Sequence, residues 1–136
     1  MNAFGSIELE MLWASAALGL LQIVIAVAAG VPSVGLPWAM GPRDEPPTPV
    51  SKFAARLDRA LKNFIETFAF FAVAILVANA LGRHTSMTAI GAVLYFWCRA
   101  AYVPAYALGI PVVRTMLWFG AVVGIVFELI GVYPGI

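Results

Sequence analysis

From Met11 to Pro42 the chain carries no charged side chain, and residues 11–31 are almost wholly apolar. About 20 apolar residues in a helix match the ~30 Å hydrocarbon layer of a bilayer, so this stretch predicts a membrane span. The rest of the chain agrees. Of 136 residues, 62% are hydrophobic and only 11% are charged, whereas soluble domains carry about 25% charged residues. The composition therefore predicts an integral membrane protein whose first partner is the lipid bilayer, with no separate water-soluble domain. A net charge of +1 supplies no general attraction to nucleic acid, which is not expected as a partner. The single cysteine, Cys98, rules out an intramolecular disulfide, and His84 has no companion His or Cys, so no metal site is expected. The N-terminal "MNAFGSIELEMLW" has no Lys or Arg; it lacks the basic region of a cleaved signal, and the first helix is expected to stay.

Glycine and proline punctuate the chain into four expected spans at about 7–30, 53–81, 87–108 and 112–132, with a Pro-rich loop at 31–52. The expected fold class is all-α: a single domain, 1–136, of four transmembrane helices in a left-handed bundle. The second span is longer than the hydrocarbon layer at ~1.5 Å per residue, so its first turns project beyond it. Thr85 or Ser86 can cap the third, and Pro111 starts the fourth. Pro104 is expected to bend the third span. Small residues in "AAGV" and "GAVVG" predict close helix contacts. Arg43, Lys52, Arg56, Arg59, Lys62 and Arg114 lie on the side of the Pro-rich loop, against Arg83 alone on the other. The bias places the loop in the cytoplasm and both termini across the membrane.

Ionisable groups inside spans cost at least ~2.5 kcal/mol on insertion scales and usually mark function. On the second span Arg59, Asn63 and Glu66 recur at i, i+4 and i+7, one helix face, with Lys62 at its edge. On the third, Arg99, Tyr102 and Tyr106 recur at i, i+3 and i+7; on the fourth, Arg114 and Thr115 open the helix. The second span enters from the basic side, the third leaves on it and the fourth starts there, so all three faces share one layer. A structural reading makes Glu66 and one arginine a buried ion pair, the other arginines snorkelling to headgroups. The layer, however, holds three arginines against one carboxylate. A buried positive surplus calls for an anion, and an anion bearing its own ammonium group would suit Glu66 as well. One protomer cannot easily enclose so much charge, whereas helices from a neighbouring subunit could, with the layer at the subunit boundary.

The segments "RALKNFIE", "RAAYVPAY" and "IPVVRT", in this order and spacing, resemble the MAPEG family, the membrane-associated proteins of eicosanoid and glutathione metabolism. With the four-span layout the resemblance covers nearly the whole chain. It implies a trimer of four-helix protomers, an inner-membrane location in a bacterium, and bent glutathione, or another low-molecular-weight thiol, held between subunits on the cytoplasmic side. It implies that Arg59, Lys62, Asn63 and Glu66 bind that thiol, Glu66 near its ammonium end, together with Arg99, Tyr102 and Tyr106. Arg114 matches the family arginine beside the sulfur, and Thr115 stands next to it as a hydroxyl donor to the same atom. The chemistry is coherent: arginines grip carboxylates in two-pronged fashion, and a nearby cation favours thiolate. Where several animal members have basic residues at the end of the first span, this chain has no cation before Arg43.

The expected function is thus glutathione-dependent transferase or peroxidase chemistry on a lipophilic small molecule that arrives from the bilayer. Two other classes remain open. A non-catalytic binding or assembly protein would keep the pocket as structure. A small four-helix multidrug exporter would need a membrane-embedded glutamate in the first span, where only Glu8 and Glu10 occur, at its edge. Glu128, deep in the fourth span, receives no role; Trp13, Trp38, Trp97 and Trp118 read as interface anchors and packing.

Overall fold

The computed structural model describes residues 5–45, 47 and 50–133. Among them the secondary structure is entirely helical: α1 (Ile7–Val34), α2 (Leu36–Met40), α3 (Lys52–Ala80), α4 (Ser86–Ala107) and α5 (Pro111–Val132). Helices α1, α3 and α5 are long and apolar enough to cross a membrane. Helix α4 is as long as α5, 22 residues each, but is less apolar, because it carries Arg99 and three tyrosines, Tyr95, Tyr102 and Tyr106.

Two boundaries differ from the expectation. Helix α1 does not stop at Gly30. It runs through Pro32 and ends at Gly35, whose φ of 81° gives the left-handed exit that stops a helix. Proline in a membrane helix loses one backbone hydrogen bond without ending the helix where neighbours or local adjustment compensate. The loop at 31–52 is correspondingly shorter and contains α2; its remaining proline tract falls partly outside the described residues. Helix α3 starts where expected, capped by the Ser51 hydroxyl, which accepts from the Ala54 amide at 3.1 Å. Helix α4 opens with a capping box between Thr85 and Thr88.

The core lies where α3, α4 and α5 meet. Phe71 and Tyr95 stack at 3.8 Å between centroids, and Ile75, Ala92, Ala121 and Ile125 close around them. Helices α4 and α5 touch backbone to backbone. A Cβ on Gly91 would sit 2.6 Å from the Gly124 carbonyl oxygen, and one on Gly124 2.7 Å from that of Gly91. The close contact expected of "GAVVG" is therefore present. Within the protomer "AAGV" makes no such contact: Gly30 has nothing within 4 Å, and on α1 it is Gly19 that admits the Phe64 ring.

At the end of the bundle formed by the start of α1, the α3–α4 turn and the end of α5, Glu8 is buried and accepts from the Thr88 hydroxyl at 2.6 Å. His84 Nδ1 lies 3.4 Å from the same carboxylate. The sequence placed Glu8 at the edge of the first span without saying what would surround it; the fold covers it with α4. A Thr88→Val change keeps the shape and leaves a buried carboxylate short of its donor. It is expected to lower stability by ~1–3 kcal/mol, read as the thermal midpoint of detergent-purified protein.

Candidate functional site

At the opposite end, the start of α3, the end of α4 and the start of α5 converge. Arg56 ties them: its guanidinium donates to the Ala107 carbonyl at 3.4 Å and packs against Gly109, where a Cβ would meet it at 2.9 Å. Gly109 turns with φ 72°, a conformation other residues rarely take, and α5 restarts two residues later on Pro111. This latch sets Arg114 opposite the polar face of α3.

Between these elements lies a cavity of about 420 Å³ lined by Arg59, Lys62, Asn63, Glu66, Tyr102, Tyr106, Arg114, Thr115 and Trp118. Its size falls in the usual range for small-molecule sites, ~300–1,000 Å³. Of the nine residues singled out from the sequence, the cavity gathers every one except Arg99. Tyr106 is its hub. Its hydroxyl accepts from Arg59 Nε at 3.1 Å, and the Arg114 guanidinium lies 4.8 Å above its ring, a cation–π arrangement. One phenol thereby holds two arginines within the same cavity wall. Tyr102 is buried beside it, the rings 5.6 Å apart.

The charges are unequally committed. Lys62 Nζ pairs with Asp58 at 2.8 Å, one turn back on α3. Among the described residues Glu66 forms no ion pair and no hydrogen bond within the protomer, so the Glu66–arginine lock weighed as a structural reading is not formed. Arg99 does not line the cavity. It is buried behind it, donating to Asn63 Oδ1 at 2.7 Å, to the Asn63 carbonyl at 3.1 Å and to the Thr67 hydroxyl. Thr115 does line it, but its hydroxyl donates to the Pro111 carbonyl at 2.9 Å. Its one proton is thereby used inside α5, and in this rotamer it offers the cavity lone pairs rather than the donor expected. Trp118, read from the sequence as packing, is the added wall residue. It stands four residues after Arg114, one helical turn deeper, and that i, i+4 relation was the available signal.

The MAPEG family model matches residues 11–133. The chain belongs to the MAPEG family. No curated protein and no solved structure matches significantly. Every cavity-lining residue of this MAPEG chain lies inside the matched range. Across α3 from the cavity, the MAPEG fold leaves a second, largely apolar groove of about 840 Å³ between the end of α1, α2 and the start of α3. Arg59 and Lys62 border both spaces. No group of three His, Cys, Asp or Glu side chains able to hold a metal occurs among the described residues.

Proposed function

We propose that this MAPEG protein binds glutathione, or a closely related thiol, in the cavity and activates its sulfur toward a lipophilic electrophile. The observation that carries the reading is Glu66: a carboxylate without an internal partner in a cavity that also holds Arg59, Lys62 and Arg114. Glutathione offers two carboxylates for the cations and one ammonium for Glu66. Arg59, beside Tyr106, would take a carboxylate. Arg114, fixed over the same ring, would stabilise the thiolate. A lipophilic substrate would lie in the apolar groove, whose border at Arg59 and Lys62 is shared with the thiol site. This assigns transferase or peroxidase chemistry in place of a purely structural pocket.

Arg59, Glu66 and Thr115 are exposed on the protomer although they line the cavity. A neighbouring subunit would close that side, as in a homotrimer; α4 would be the fourth span, and the Lys/Arg bias would put the Pro-rich loop in the cytoplasm. Cross-linking in detergent should proceed to trimer; saturation at dimer would remove this arrangement.

The binding claim is tested with Glu66→Gln, which keeps the side chain's shape and deletes its charge. Glutathione affinity should weaken by ~1.5–3 kcal/mol, the worth of a hydrogen bond to a charged group. Calorimetric titration of the variant decides the matter, and an unchanged affinity would take Glu66 out of the site. The ligand-free midpoint should hold, because Glu66 has no internal partner to lose.

A further inference from the structure

Arg99 is 1% exposed, and among the described residues no carboxylate pairs with it. Neutral oxygens hold it instead: Asn63 Oδ1, the Asn63 carbonyl and the Thr67 hydroxyl. The Tyr95 and Tyr102 rings flank it at 5.8 Å and 5.1 Å. Thr67 is anchored in turn by a contact of 3.1 Å to the Tyr95 hydroxyl and by its own donation to the Phe64 carbonyl at 3.2 Å. Two side chains carry this network to the cavity wall, Asn63 and Tyr102, and of the two it is Asn63 that is hydrogen-bonded to Arg99.

A guanidinium has donors and no acceptor. The Asn63 amide facing it must therefore present its oxygen to Arg99. The two N–H groups on the other arm of the planar amide are then left for the cavity. We infer that Arg99 is a positioning residue which locks Asn63 as a hydrogen-bond donor to the ligand, so that the ligand group seated there is an acceptor, a carboxylate or a peptide carbonyl. The charge on Arg99 also polarises the amide it holds, strengthening the N–H donors on its far side. The inference rests on the thiol-binding reading for the identity of the ligand, but not for the orientation of the amide.

Two full-length variants in detergent test it. Asn63→Asp keeps an oxygen toward Arg99, now as an ion pair, and replaces the donor facing the cavity by an acceptor. Its thermal midpoint without ligand should equal or exceed that of the wild type. Its glutathione affinity should fall ~10- to 100-fold, the loss of a charge-assisted hydrogen bond. Arg99→Lys cannot span Asn63 and Thr67 together, and so releases the amide. It should raise KM for glutathione several-fold with kcat at saturation unchanged, the pattern of lost uniform binding. A ligand-free Asn63→Asp midpoint lower by more than ~5 °C, about 1 kcal/mol for a domain of this size, would overturn the inference. So would wild-type glutathione affinity in Asn63→Asp, or a loss confined to kcat in Arg99→Lys. If the wild type fails to bind glutathione, the functional reading falls, while the ligand-free midpoint of Asn63→Asp still decides the orientation.

Discussion

Arg114→Leu is expected to retain glutathione binding and to lose ~10- to 100-fold in turnover with a model electrophile. The side chain opens α5, half-buried, with its guanidinium 4.8 Å from the Tyr106 ring centroid. Guanidinium stays protonated at any relevant pH. One positive charge ~4 Å from a sulfur is worth ~4 kcal/mol at an effective dielectric near 20. Arg59, shared solvent and the tyrosine face reduce that figure. A fall of ~1–2 pH units in the thiol's ionisation midpoint, ~1.4–2.7 kcal/mol, is the expected remainder. Thiolate has a short-wavelength ultraviolet band that thiol lacks, so difference spectra across pH read the midpoint of the bound tripeptide directly. The wild type should show thiolate near neutral pH, and Arg114→Leu should return the midpoint toward that of free glutathione. Turnover equal to the wild type would move the activating role to another residue. Wild-type binding with no thiolate would leave a binder rather than an enzyme.

Gly124→Val is expected to have the largest effect on the fold. Its Cβ would stand 2.7 Å from the Gly91 carbonyl oxygen and 2.9 Å from the Tyr95 amide nitrogen. Both are backbone atoms of α4, so no rotamer change relieves the clash. The helices must separate, and that opens the Phe71–Tyr95 stack beside them. Overpacking usually costs ~1–3 kcal/mol; displacement of a backbone pair places this variant at or above the upper end. The thermal midpoint should drop by ~15 °C or more, or the variant should fail to purify. A nearly unchanged midpoint would mean that α4 and α5 are farther apart than described. Gly30→Val, where nothing lies within 4 Å, is the control.

The family was legible in the three motifs "RALKNFIE", "RAAYVPAY" and "IPVVRT", and most of the cavity because helical spacing reports azimuth. Arg59, Asn63 and Glu66 had to share a face, and the order of the spans put that face level with Tyr106 and Arg114. Depth along the axis is what spacing reports poorly. Arg99 lies on the azimuth of Tyr106 but seven residues before it, ~10 Å deeper at 1.5 Å per residue. That distance carries it past the cavity wall into the packing behind Asn63. Thr115 illustrates a second blind spot: a hydroxyl at the right place can spend its proton on its own helix, here on the carbonyl of Pro111. Helix α1 illustrates a third. Proline at position 32 reads as a stop by the rules of soluble helices, yet the true stop is the positive φ of Gly35. The burial of Glu8 could not have been read locally, since its donor is a distant residue in the chain.

That distance has a consequence for biogenesis. Glu8 and Thr88 are 80 positions apart. At translation speeds of ~5–20 residues per second, the carboxylate emerges roughly 4–16 s before the hydroxyl that satisfies it is made. For that interval α1 has an apolar body and an uncompensated acidic head, and the head belongs in water or among headgroups. The first helix is therefore inserted as a provisional tenant of the bilayer. Glu8 can be covered only after the turn carrying His84 and the capped start of α4 have been made. The contact that buries Glu8 therefore closes from the later-made half of the chain back onto the first.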